Sequence, residues 1–234
     1  MALDVDEIED VRTLLAGARG VLFDFDGPVC RLFPEGSSGP VADELRELVA
    51  REGARGLLTA EEAGDKDPHA VLRAVHRGRH GHEGLVAVLE ELVSVRELEA
   101  ARKAWPTPDA ARLIRMLAGR GLRLAVVTNN SSRAASFYLE SKGLRGFFDA
   151  VHGRTRDVHL MKPHPDVVVR ALRSLGLRPE DTVMIGDSPA DVGAAARAGV
   201  RFVGYGRNLH KESELRDAGA AVVLGSYARL LDEE

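Results

Sequence analysis

Cysteine is almost absent from this sequence: Cys30 is the only one in 234 residues. No intrachain disulfide can form, and the composition predicts a reducing, cytoplasmic compartment. Long apolar runs are lacking too, since none approaches the ~20 residues that span a bilayer. The opening Met1-Ala2-Leu3-Asp4-Val5-Asp6-Glu7 is acidic where a signal peptide is basic, so neither secretion nor membrane residence is expected. There is no positive excess: the formal net charge is −4, without the basic stripe of a nucleic-acid surface. Aromatic residues make up 5% of the chain against 44% hydrophobic overall, so the core must be mostly Leu, Val and Ala. That filling suits helices packed on a parallel sheet. The length fits one large domain, or a domain carrying an insertion.

What the chain does have is Val21-Leu22-Phe23-Asp24-Phe25-Asp26-Gly27. Four apolar residues are too few for a helix but suit a strand covered on both faces. Charges in such a run are costly unless something pairs with them. A period of two sends Asp24 and Asp26 the same way, provided strand geometry persists that far. Gly27 and Pro28 then turn the chain. Two acids converging at the carboxyl end of a parallel strand stand where an α/β sheet places its chemistry. The plainer alternative is a pair of turn acids capping a neighbouring element.

A leading helix is expected over 4–17, with Asp4 and Glu7 at capping-box spacing and Val5, Ile8, Val11 and Leu15 on one stripe. The composition of 32–40 is that of a loop. From 41 to 105 no strand is evident. Val41, Leu45, Leu48 and Val49 predict one helix, and Leu85, Val88, Leu89, Leu92 and Val95 a longer one. This all-helical stretch reads as an insertion, so the expected division is a core of 1–32 and 106–234 around a helical piece of 33–105. Beyond it, helix and strand alternate. Thr107 is the expected N-cap of a helix with Pro108 at its first position, stopped at Gly119 or Gly121. Strands are expected over 122–127, near 150–151, and over 182–185, 200–203 and 221–224. Between them lie a helix capped by Ser131, one over 165–175 stopped by Gly176, and one opened by Ser188 and Pro189 and closed by Gly199. Such alternation predicts parallel crossovers.

Three further strand ends carry suggestive groups. Val126-Val127-Thr128-Asn129-Asn130-Ser131 places a hydroxyl and backbone N–H groups at a helix N-terminus, suited to an oxyanion. Met161-Lys162-Pro163-His164-Pro165 offers a cation on a backbone stiffened by prolines. Met184-Ile185-Gly186-Asp187-Ser188-Pro189-Ala190-Asp191 supplies two acids one helical turn apart. Carboxylates from two strand ends are hard oxygen ligands that suit Mg²⁺. Taken singly, these are a cap, a surface lysine and acids favoured by a helix dipole. Falling together at carboxyl ends of strands in one alternating pattern, they point to a site.

The order Asp24-x-Asp26-Gly27, Thr128, Lys162-Pro163, Gly186-Asp187-Ser188-x-x-Asp191 resembles the haloacid dehalogenase (HAD) superfamily, specifically its phosphatase-like members similar to phosphoglycolate phosphatase. The resemblance spans about 21–203, with the helical insertion where that family carries its cap. It implies a Rossmann-like α/β core with helices on both faces of a parallel sheet and an inserted all-helical cap. It also implies a Mg²⁺-dependent phosphatase acting on a small phosphorylated metabolite. By resemblance Asp24 is the nucleophile, giving an aspartyl-phosphate, and Asp26 is the general acid and then base. Thr128, Asn129 and Lys162 bind the phosphoryl group. Asp24, the backbone carbonyl of Asp26, and Asp187 hold the metal, with Asp191 behind them orienting Lys162 or a metal-bound water. The family more often has Thr where this chain has Pro28, which predicts a local change in the turn.

Asp26 separates chemistries. Dehalogenases of the superfamily lack an acid there, because a halide leaving group needs no proton and an alkoxide does. A phosphomutase similar to β-phosphoglucomutase shares all four motifs and remains the alternative; a phosphate-binding regulatory module without turnover is a third reading. In the insertion, His69, His76, His80 and His82 with Arg73, Arg77 and Arg79 are expected to form a solvated face, and no nearby Cys supports a metal site at His80 and His82. Cys30 is expected to be buried and inert. The expected partner is a small phosphorylated substrate, bound by a monomer or homodimer.

Overall fold

The structure, a computed structural model, describes residues 5–231. Asp4, the expected opener of the first helix, lies outside them. That helix, α1 (Val5–Ala16), buries Ile8, Val11 and Leu15. The apolar run that follows is β1 (Gly20–Phe23), buried at every position. Alternation divides it between two layers: Val21 and Phe23 enter one apolar cluster with α1, and Leu22 enters another on the opposite face. A strand covered on both sides belongs at the centre of a sheet. β1 indeed pairs in parallel with β4 (Arg123–Val127) on one side and β6 (Thr182–Gly186) on the other.

The sheet is completed by β5 (Ala150–His152), β7 (Arg201–Tyr205) and β8 (Val223–Leu224), in the order β5-β4-β1-β6-β7-β8. Every neighbouring pair is parallel. Helices α5 (Ala110–Gly119), α6 (Ser132–Ser141) and α10 (Ala228–Leu231) share the α1 face. Helices α7 (Asp166–Leu175) and α8 (Pro189–Ala198) cover the other. This is the expected Rossmann-like α/β sheet with helices on both faces. The chain runs from β1 outward to β5, then crosses back to β6, so the carboxyl ends of β1, β4 and β6 meet where the strand order reverses.

Three features of the sheet and its flanking helices depart from the sequence reading. Strand geometry ends at Phe23, before either aspartate, because the chain turns back at once: the Val29 and Cys30 N–H groups both donate to the Phe25 carbonyl. Thr107 is not a cap; its hydroxyl donates to the Gly27 carbonyl at 2.6 Å, and α5 begins after Asp109. Helix α9 (Leu209–Asp217) was not expected, since its only buried residue is Leu215 and it carries no apolar stripe to read.

Between β1 and α5 a two-stranded antiparallel ribbon, β2 (Cys30–Arg31) with β3 (Trp105–Pro106), brackets the helical stretch. Strands of two residues leave no periodicity, so neither was foreseen. Within it, α2 (Gly39–Arg51), α3 (Pro68–Arg77) and α4 (Glu83–Ala101) pack around Leu45, Val49, Leu72, Val75, Leu89 and Val93. Val158 and Met161, from the segment after β5, close this cluster. Among the described residues, no helix is long and apolar enough to cross a membrane.

Candidate active site

Asp24 takes the last hydrogen bond of the β1–β6 ladder, its N–H donating to Ile185 at 2.9 Å, and so stands at the mouth of the sheet. Phe25 turns inward, fully buried and edge-on to Tyr138 with ring centroids 5.5 Å apart. Anchoring that ring leaves the acids on either side of it facing one cleft of about 420 Å³. Asp24 and Asp26 share the expected direction although β1 ends at Phe23, with the buried Phe25 ring between them. Asp26 is partly buried, and its Oδ1 accepts the Leu32 N–H at 2.8 Å. Pro28 sits in this turn with its carbonyl accepting from the Tyr227 hydroxyl.

Lys162 is buried among acceptors. Its Nζ lies 2.7 Å from Asp24 Oδ1 and 2.5 Å from Asp191 Oδ1, and also donates to the Val127 carbonyl. Asn129, expected among the phosphate-binding residues, grips the main chain of Lys162: its Oδ1 accepts the Lys162 N–H and its Nδ2 donates to the Lys162 carbonyl. The side chain thus helps to place the lysine, and Asn129 also lines the cleft. Thr128 is buried, and its hydroxyl donates to Asn130 Oδ1 at 3.0 Å while accepting the Asn130 N–H.

At the third strand end, Ser188 and Asp191 form a capping box that starts α8. Asp191 Oδ2 accepts from the Ser188 hydroxyl at 2.6 Å and from the N–H groups of Asp187 and Ser188. One carboxylate therefore caps a helix and anchors Lys162. Asp187 faces Lys211 and Arg207, each 3.6 Å away, neither of which the sequence had marked. Lysine and arginine on an exposed helix start are indistinguishable from solvated charges until folding brings them near an acid.

Electrostatics distinguishes this cluster from an ordinary salt bridge. Asp24, Asp187 and Asp191 lie close enough together to share one cation. Three buried carboxylates face one buried ammonium. Burial, partly offset by Lys162 and reinforced by Asp191 and Asp187, pushes Asp24 up to about 7. Burial likewise raises Asp187 to about 7 and Asp26 to about 6. Burial opposes the Lys162 charge, but Asp191 and Asp24 outweigh it and hold the ammonium above its usual range. The site is short of positive charge. The backbone leaves room for the Asp187 carboxyl: Gly27 has φ +119°, and a Cβ there would stand 2.3 Å from Asp187 Cγ. The donor set, all carboxylate oxygen, fits a hard divalent cation.

The far wall of the cleft comes from the helical stretch, through Ser38, Lys66, His69 and Arg73. The histidine- and arginine-rich segment is not the solvated face expected. Arg77 and His80 are exposed, but His76 is buried and His69 Nε2 lies 2.8 Å from Glu97 Oε1. Glu97, fully buried on α4, and Arg154, whose side chain is also buried, were both missed. The signal was present: Glu97 falls at helical spacing from Leu85, Val86, Leu89, Val93 and Ala101 on the buried side of α4. Cys30 is buried, and burial pushes its thiol well above the ordinary range, leaving it protonated and inert.

The family model for haloacid dehalogenase-like hydrolases matches residues 18–199. A phosphoglycolate phosphatase of Salmonella choleraesuis is 30% identical, the match covering 93% of this chain and 92% of the relative. The phosphoglycolate phosphatase of Yersinia pseudotuberculosis is 29% identical, with 91% of each chain covered. Among solved structures, CbbY from Rhodobacter sphaeroides in complex with phosphate superposes with a TM-score of 0.66 over 91% of this chain and 96% of that one. At 24% identity that likeness shows the fold alone.

Proposed function

The chain belongs to the haloacid dehalogenase-like hydrolase family, and from that membership we propose that it is a Mg²⁺-dependent phosphatase hydrolysing a small phosphorylated metabolite through an aspartyl-phosphate. The relatives named phosphoglycolate phosphatase support phosphoric monoester hydrolysis. The observation that carries the reading is Asp26. It is a second carboxyl on the same cleft as Asp24, and burial brings its pKa to about 6. A group titrating that close to neutrality can give a proton and take one back.

Asp24 Oδ attacks phosphorus in line with the ester oxygen. As that P–O bond breaks, the leaving oxygen takes the proton of Asp26, and the product is an alcohol and phosphorylated Asp24. Asp26, now ionised, removes a proton from a water that attacks the same phosphorus. The acyl-phosphate bond breaks, Asp24 is restored and inorganic phosphate leaves. Thr128 and Lys162 face the oxygens on which charge is spread. Asn129 and Asp191 keep Lys162 in place, since both bond to it directly. Asp24, Asp187 and the carbonyl of Asp26 are the groups to hold Mg²⁺, whose positive charge lets an anionic nucleophile meet an anionic substrate. Residues 33–105 act in this reading as a cap over the cleft.

Asp24→Asn tests the assignment, being nearly isosteric. Phosphate release from a panel of phosphomonoesters in Mg²⁺ is expected to fall at least ~10³-fold while the circular dichroism spectrum stays unchanged. A folded variant within tenfold of the parent would end the reading.

A further inference from the structure

The mechanism above leaves one buried ion pair unused. Glu97 is fully buried on α4, and five contacts converge on its two oxygens. Oε1 receives His69 Nε2 at 2.8 Å, Asn130 Nδ2 at 3.1 Å and Arg154 Nη1 at 2.7 Å. Oε2 receives the Ser131 N–H at 2.7 Å and Arg154 Nη1 at 2.9 Å. Arg154 goes on to the Asn129 carbonyl at 3.1 Å, the Ser94 hydroxyl at 2.8 Å and Glu90 Oε1 at 3.2 Å. A carboxylate and a guanidinium, both out of water, therefore join two helices of the insertion to the turn between β4 and α6. Despite its burial, these donors hold the Glu97 carboxyl at about 2.

This is more charge than packing needs. Removing two ions from water is costly, and apolar residues of similar volume often serve stability as well or better. What the pair does supply is direction. An ionised carboxylate only accepts, so the Asn130 amide must turn its Nδ2 toward Glu97 and its Oδ1 toward the Thr128 hydroxyl. Arg154 holds the carbonyl of Asn129, the residue whose side chain grips the Lys162 main chain. Thr128 and Lys162, the residues the phosphatase reading assigns to phosphate, thus hang one residue away from this pair.

We propose that Glu97 and Arg154 are positioning residues that set the turn of residues 128–131 for phosphate and register it against His69 on the cleft wall. The inference rests on the phosphatase reading, because it takes that turn to be the phosphate-binding one. It makes the helical insertion a part of the anion site, where otherwise it would be only a cover over it.

The experiment separates positioning from folding. Glu97→Gln places a donor against donors and leaves Arg154 with Glu90, at 3.2 Å, in place of its closest carboxylate. It is expected to lower kcat/KM for p-nitrophenyl phosphate at least tenfold and to weaken inorganic phosphate binding, read by calorimetry in Mg²⁺, by a similar factor. Where Glu97→Gln does not fold, Glu97→Asp carries the same expectation, because it keeps the charge and shortens the reach. The double variant Glu97→Leu/Arg154→Met removes both ions together. It is expected to regain the parent melting temperature while phosphate affinity and kcat/KM stay low. Recovery of all three together would make the pair purely structural and overturn the proposal, as would a Glu97 variant within threefold of the parent in both functional readouts. A parent that hydrolyses no phosphomonoester and binds no phosphate overturns the functional reading and this inference with it. A parent that does both, with variants that match it, overturns only this one.

Discussion

Gly27 shows how closely backbone and carboxylate approach at the residue scale. Its φ of +119° lies in the region that L side chains rarely adopt, and a Cβ would stand within 2.8 Å of all three atoms of the Asp187 carboxyl group. Gly27→Ala is therefore expected to push Asp187 aside and to raise the Mg²⁺ concentration for half-maximal activity by about 10–100-fold, the scale on which displaced support costs metal affinity. A Mg²⁺ titration of both proteins checks this, and superimposable curves would show that Asp187 does not hold the ion. At this same scale the sequence was most informative about identity and least about contact. Asp24, Asp26, Thr128, Lys162, Asp187 and Asp191 were all legible from spacing and motif, and the fold brings them to one cleft apart from Asp191, which lies behind Lys162. That Asn129 faces the Lys162 main chain was not legible, because the two are 33 residues apart.

At the scale of elements, α8 joins folding to the site. Its capping box uses the Ser188 hydroxyl on the Asp191 N–H and returns Asp191 Oδ2 to the Ser188 backbone, while Asp191 Oδ1 holds Lys162. Ser188→Ala removes a cap worth about 1 kcal/mol. In a chain of this size the expected fall in melting temperature is about 2–4 °C. Activity is also expected to drop several-fold, since Asp191 loses a 2.6 Å bond that steadies it. Differential scanning calorimetry beside a phosphatase assay reads both. A lower melting point with full activity would show that Asp191 needs no help from its cap. Elements with a strong period or a clear stop, such as α7 and α8, were readable in advance. The β2–β3 ribbon and α9 were not, because two-residue strands and a helix with one buried side chain carry no pattern above that of loops.

For the whole molecule, the excess of buried carboxylate makes stability depend on pH and on metal together. Asp24 and Asp187 have ordinary pKa values near 3.8 and native values of about 7, so between those limits the native state binds more protons than the unfolded chain. Stability then falls as pH rises through that window. Glu97 works in the opposite sense: its native value of about 2 lies below 4.5, so its contribution is present above 4.5 and lost as pH falls toward 2. In chelator, the melting temperature is expected to peak near pH 4 and to decline toward pH 7. Added Mg²⁺ binds the native state alone and holds the carboxylates ionised, so it is expected to raise the melting temperature most at pH 8. Melting curves at three pH values with and without Mg²⁺ test this. A melting temperature that climbs steadily from pH 4 to 7 in chelator would contradict the charge deficit.

Local order sufficed to determine much of this protein: alternation set which side of the sheet each β1 residue faces, Ser188 and Gly199 bounded α8, and four motifs placed the acids, the hydroxyl and the lysine at strand ends. Those features depend on neighbours within a few residues, and their signals survive in one dimension. The tertiary structure alone decided which groups share a proton, a cation or a hydrogen bond. Asp24, Lys162 and Asp191 are drawn from three separate segments, and Glu97 reaches residues 28 to 57 positions away along the chain. Their charges and pKa values arise from burial together in one low-dielectric volume, a property that no stretch of sequence possesses by itself.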